Sequence, residues 1–155
     1  MTEFDAERLS GLTPLEFARL VKRAPHAKLS TVMQSEYRSR ILNTIFEEFP
    51  TMFRADRAEG TSAVVHWHIT GRPDGGVDAY QITIAEGTCT VTTLADPASP
   101  PVPPRLKVTM GGVEFLQLIA GITNPAVMFM MGKIKAKGDI SLAATIVNLF
   151  EMPRI

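Results

Sequence analysis

The chain has 155 residues, enough for one domain with a substantial core. Sixteen Lys and Arg balance sixteen Asp and Glu, so the basic surface of a general nucleic-acid binder is not expected. A single cysteine, Cys89, excludes an intramolecular disulfide; the acidic opening MTEFDAERLS has no apolar signal core, and the closing Met152, Pro153, Arg154 and Ile155 are not a peroxisomal address, so a soluble cytoplasmic protein is the expectation.

The first helix is signalled by Thr13 as N-cap, Pro14 at the first helical position and Glu16 reaching back to complete a capping box. Leu12 and Phe17 fall at the staple positions, and the helix should end near Pro25 with Phe17, Leu20 and Val21 buried. These helices should cover the outer face of a sheet or a partner surface. A second helix should begin around Ser30 and Thr31. Its apolar residues Tyr37, Ile41, Leu42, Ile45, Phe46 and Phe49 follow helical spacing, whereas Arg38, Arg40, Glu47 and Glu48 fall mostly elsewhere; Pro50 ends it.

The period then changes from helix to strand. In Ala63–Thr70, residues Ala63, Val65, Trp67 and Ile69 point one way and Val64, His66, His68 and Thr70 the other. A turn over 72–76 leads to a strand at 77–85, with Tyr80, Ile82 and Ile84 on one face. Glu86 and Gly87 connect it tightly to a third strand, Thr88–Leu94, so an antiparallel meander is expected. Residues 95–104 hold five prolines and form a stiff connection to a fourth strand at 105–110.

Residues 115–132, FLQLIAGITNPAVMFMMG, run for eighteen positions without a formal charge. That is long enough for a membrane span, but Gly121 to Pro125 break it, with Asn124 a good N-cap and Pro125 a good first helical residue. Two short apolar helices result, each too short to cross a bilayer, and no stable membrane insertion is expected. They must bury their surface in the domain or against an apolar ligand. Ile134–Gly138 is a fifth short strand. Asp139 caps a last helix over 140–150, apolar nearly all round through Leu142, Ala143, Ala144, Ile146, Val147, Leu149 and Phe150, and so expected to be buried on every side. The order αα-βββ-β-αα-β-α is α+β, one sheet covered by helices.

Little in the chain carries covalent chemistry. His66 and His68 could share a metal ion, but no third ligand is near in sequence and His26 is isolated, so the plain reading is polar residues on the outer sheet face and no metal. Cys89 sits among threonines without basic neighbours and should be an inert thiol. Gly111 and Gly112 form a strand-to-helix turn, not a phosphate loop. Lys133, Lys135 and Lys137 share one strand face, as edge protection or as a cationic patch for an acyl-CoA phosphate or an anionic lipid surface.

From Lys107 onward the chain resembles the sterol carrier protein 2 (SCP-2) family. The matching residues are Val108, Thr109 and Met110; Phe115, Leu116, Leu118 and Gly121; Asn124 and Pro125; Gly132 to Lys135; Gly138 and Asp139; and Leu142 and Ala143. Trp67 has a counterpart in several members. The resemblance spans roughly 34–150, so residues 1–30 are expected to be a helical extension and 31–155 the lipid-binding domain. It implies a five-stranded mixed sheet with helices on one face and, between them, an apolar tunnel for a fatty acid, fatty acyl-CoA or sterol. Members are mostly non-catalytic carriers, so no cofactor is expected. One departure is Met131, where the family often has a polar Gln at the tunnel.

On this basis the expected ligand-binding residues are Trp67, Tyr80, Ile82, Val108, Phe115, Leu118, Ile119, Ile122, Met128, Phe129, Met131, Ile146 and Phe150. Two other classes stay open. One is an interaction module with a filled core, engaging a protein partner through its N-terminal helices. The other is an enzyme with a site around His66, His68 or Cys89.

Overall fold

Strands rich in β-branched and aromatic residues build one five-stranded sheet. The computed structural model describes residues 14–95, 100, 102–146 and 149–150. Its strands are β1 (Ala63–Thr70), β2 (Asp78–Ala85), β3 (Thr88–Leu94), β4 (Leu106–Gly111) and β5 (Ile134–Gly138), in the order β3-β2-β1-β4-β5. The first three form the expected meander. β4 then pairs with β1 in parallel and β5 closes the edge antiparallel, so the sheet is mixed.

Register sets the faces. Trp67 lies opposite Tyr80 on β2 and Val108 on β4, and Val65 lies opposite Ile82. Trp67, Tyr80, Ile82 and Val108 therefore share one face, the one the helices cover. His66 and His68 share the other, so the expected phase holds.

Helix α3 (Arg38–Met52) lays its phenylalanines on that face. Phe46 stacks on Tyr80 at 4.0 Å and on Phe115 at 5.0 Å, and Phe49 meets the edge of Trp67 at 5.7 Å. Tyr80 also donates its hydroxyl to Asn43 Oδ1 at 2.5 Å, and burial pushes its pKa up to about 12. Truncating one such phenylalanine to alanine costs about 3–5 kcal/mol, because the cavity left behind collapses only in part.

The single helix expected from Ser30 to Pro50 is two helices, α2 (His26–Met33) and α3. Ser35 explains the break. Its hydroxyl donates to the Val32 carbonyl at 2.6 Å and accepts the Tyr37 N–H at 3.2 Å, which gives the backbone a turn in place of the helical ladder. Pro50 lies inside the last turn of α3 and does not end it. So near the C-terminus its ring forfeits one N–H and leaves the helix to run to Met52.

Arg38 also departs from expectation. It is only 2% exposed. Its guanidinium donates to Asp78 Oδ2 at 2.7 Å and to the carbonyls of Met33 (3.1 Å), Ile69 (2.8 Å) and Thr70 (3.0 Å). The planar fork thus joins the end of α2 to the end of β1 and the start of β2.

Helix α1 (Pro14–Arg23) and α2 pack against α4 (Gly112–Ile119), not on the outer sheet face. Phe17, Ala18 and Val21 are buried there and Leu20 partly so. Leu12 and Thr13 lie outside the described residues. Helix α2 runs across the 30/31 boundary expected between extension and domain, and its Leu29 and Met33 join the common core. Two further helices complete the covering layer, α5 (Pro125–Met130) and α6 (Ile140–Ile146).

Candidate functional site

The joints that hold α5 and α6 over the sheet come from short polar motifs. Gly121, at φ +74°, takes the left-handed turn that ends α4, where its N–H and that of Ile122 reach back to the carbonyls of Leu118 and Gln117. Asn124 then accepts the Ala126 N–H at 2.8 Å, with Pro125 at the first helical position of α5. At the next joint Gly138 has φ +112° and passes so close to the Arg105 carbonyl that a Cβ would sit 2.5 Å from it. Asp139 follows, accepting from Ser141 Oγ (2.6 Å) and the Leu142 N–H (3.2 Å) at the start of α6 and from Arg105 Nε (2.9 Å). The Gly-x-x-Asn-Pro and Gly-Asp spacings are thus instructions for reversing the chain twice.

Between these joints lies a cavity of about 560 Å³, within the range of roughly 300–1,000 Å³ usual for small-molecule sites. Its floor is the helix-covered face of β1, β4 and β5: Trp67, Val108, Met110, Ile134 and Ala136. Leu118 of α4 forms one wall. The roof comes from Asn124 to Ala126, Phe129 and Met130 around α5, and from Ile140, Ala143 and Ile146 of α6. Among the described residues no lining side chain is ionisable, and the carboxamide oxygen of Asn124 is engaged by the helix it caps. The indole N–H of Trp67 is buried with no hydrogen-bond partner among the described residues. The arrangement can bury an apolar body, and among the described residues it holds no acid–base pair.

Of the residues expected to bind a ligand, Trp67, Val108, Leu118, Phe129 and Ile146 line this cavity. The others lie elsewhere. Tyr80, Ile82 and Phe115 are buried in the closed core, where α3 fills the β2 half of the face with Phe46 and Phe49. Ile119 and Met128 are also core. Phe150 packs on Phe49 at 5.1 Å and Phe53 at 5.8 Å. Ile122 is 38% and Met131 64% exposed, both outside the cavity, so position 131 offers no group to its interior. Sequence reasoning missed Met110, Ile134 and Ala136, although they share the phase of Val108, and the small Ala143, which leaves the space open. Helix α6 is not buried all round either: Ile140 is 49% exposed. Val147, expected in the same helix, lies outside the described residues.

On the outer face the two strand histidines stay apart in role. His66 pairs with Gln81 Oε1 at 3.1 Å. Burial, then the charges of Lys107 and His66, lower the pKa of His68. Among the described residues no group of three potential ligands surrounds a metal position. Burial pushes the Cys89 thiol up to about 11, away from reactive thiolate.

The sequence pattern of the SCP-2 sterol transfer family matches residues 42–151. The chain belongs to the SCP-2 sterol transfer family. Its SCP-2 fold aligns with the apo form of sterol carrier protein 2 from Yarrowia lipolytica at a TM-score of 0.55 and 21% identity, over 72% of this chain and 88% of that one. It also aligns with the stereoselective inverting sec-alkylsulfatase Pisa1 from Pseudomonas sp., at a TM-score of 0.59 and 16% identity, over 73% of this chain but only 17% of the sulfatase. At these identities the likeness is one of fold. A comparison with curated proteins gives no match. Among the described residues of this SCP-2 chain no helix is long and apolar enough to cross a membrane.

Proposed function

We propose that the cavity over β4 and β5 binds an apolar lipid, of the fatty acid, fatty acyl-CoA or sterol class, and that the chain carries it without catalysis in the cytoplasm. The observation that carries this reading is the unfilled apolar space between sheet and helices in a member of the SCP-2 sterol transfer family. Each methylene moved from water into it contributes about 0.8 kcal/mol, so a long chain binds with few polar contacts. Trp67, Val108, Leu118, Phe129 and Ile146 are the side chains assigned to the ligand. The lining discriminates poorly among chain lengths, since one methylene in an apolar site is worth only about 1–3 kcal/mol.

The test is isothermal titration with fatty acids, acyl-CoAs and sterols. Saturable binding with a fall in heat capacity is expected, the mark of apolar burial. Ala143→Phe should fill the cavity and abolish binding while the protein stays folded. A wild type that binds none of these ligands overturns the reading.

A further inference from the structure

Helix α5 is apolar yet largely uncovered. Of its residues only Met128 is buried, whereas Val127 is 50% and Met130 84% exposed, continuing into Met131 at 64%. Phe129, Met130 and Ile140 line the cavity and are also exposed, at 42%, 84% and 49%, so they form its mouth. Cationic charge follows the helix, and the nearest carboxylate in sequence, Asp139 beside Ile140, is paired with Arg105. Residues 115–138 contain no Asp or Glu, and Lys133, Lys135 and Lys137 follow α5 directly, all exposed. Helix α5 packs against β5, the free edge of the sheet, so the apolar patch and the lysines are contiguous. Lys135 and Lys137 stand on the far face of β5 and Lys133 immediately precedes the strand, and their four-carbon stems let the ammonium groups reach round that edge.

We propose that this face seats the protein on an anionic lipid bilayer, with Val127, Met130 and Met131 entering the interface and the three lysines meeting lipid phosphates. The inference rests on the carrier reading, since docking here presents the cavity mouth to the membrane. Two weak signals together make a reversible attachment: a six-residue helix buries too little to hold alone, and three lysines are screened by salt. Each lysine close to an anionic surface strengthens attachment about fivefold, so the three together account for about a hundredfold. A second copy of this chain is the less suitable occupant, because a two-fold contact through this patch brings both lysine sets together.

The test is co-sedimentation of the full chain with phosphatidylcholine vesicles, alone and mixed with phosphatidylserine. Binding to the mixed vesicles is expected, falling steeply with salt, with little binding to neutral ones. Met131→Asp and Val127→Asp, neither in the cavity lining, should each weaken it about tenfold or more. Replacing Lys133, Lys135 and Lys137 by Gln together should weaken it about a hundredfold. A fluorescent fatty acid, titrated into each variant, reports the cavity separately. Wild type that binds the fatty acid but ignores mixed vesicles overturns the docking proposal and leaves the carrier reading standing. Vesicle binding unchanged in all three variants also overturns it, as does a dimer in sedimentation equilibrium that Met131→Asp dissolves. Wild type that binds no fatty acid, acyl-CoA or sterol overturns the carrier reading instead.

Discussion

At the scale of single residues, Arg38 and Asp139 carry more of the architecture than their types suggest. Arg38→Met should lower unfolding free energy by about 3 kcal/mol in denaturant titrations, because three carbonyls lose this donor and the Asp78 carboxylate keeps only the longer bond from Arg72, at 3.4 Å. Arg38→Lys should recover little of this, since a single ammonium cannot span the same acceptors. Asp139 gives a pH signature. Its carboxyl is held below the ordinary 3.8 by the Ser141 hydroxyl, the Leu142 N–H and Arg105. With the folded value depressed, the unfolded chain takes up a proton first on acidification. The contribution of Asp139 is therefore present above pH 3.8 and is lost as pH falls through the lower folded value. Asp139→Asn should lower the melting temperature at neutral pH, and the gap to wild type should close in acid. Asp139 was legible as the cap of the last apolar helix, and the Gly-Asp pair through the family resemblance. Arg38 was not, because its helical position suggests solvent and its partners are carbonyls distant in sequence.

At the scale of elements, alternation in the strands fixed both the register and the face, as the pairing of Trp67 with Tyr80 and Val108 demonstrates. Helix ends were less legible. The Ser35 turn competes with the helix through a local side-chain bond that apolar periodicity does not reveal. The resting place of α1 was also hidden, since an amphipathic stripe specifies a buried face but not the partner that buries it. Its seat on α4 has a direct check in thermal unfolding. Val21→Asp, at a position 1% exposed, should destabilise the fold by about 3 kcal/mol or more. Leu15→Asp, on the same helix but 37% exposed, should change it little.

At the scale of the whole molecule, one sheet face is divided between a filled half and an open half. The phenylalanines of α3 close the β1–β2 side, and the small Ala136 and Ala143 leave room over β4 and β5. That division explains why Tyr80 and Ile82 share the phase of the cavity floor yet do not line it: a strand pattern names a face, not how much of the face a helix covers. Trp67 sits at the boundary and is the only tryptophan of the chain. A fatty acid brominated along its chain quenches tryptophan only at short range. Titrated into the full protein, it should quench Trp67 emission saturably, with the unbrominated acid competing and Ala143→Phe abolishing the effect. Emission that stays unquenched, or falls only linearly with added acid while the protein remains folded, would contradict a lipid site over β4 and β5.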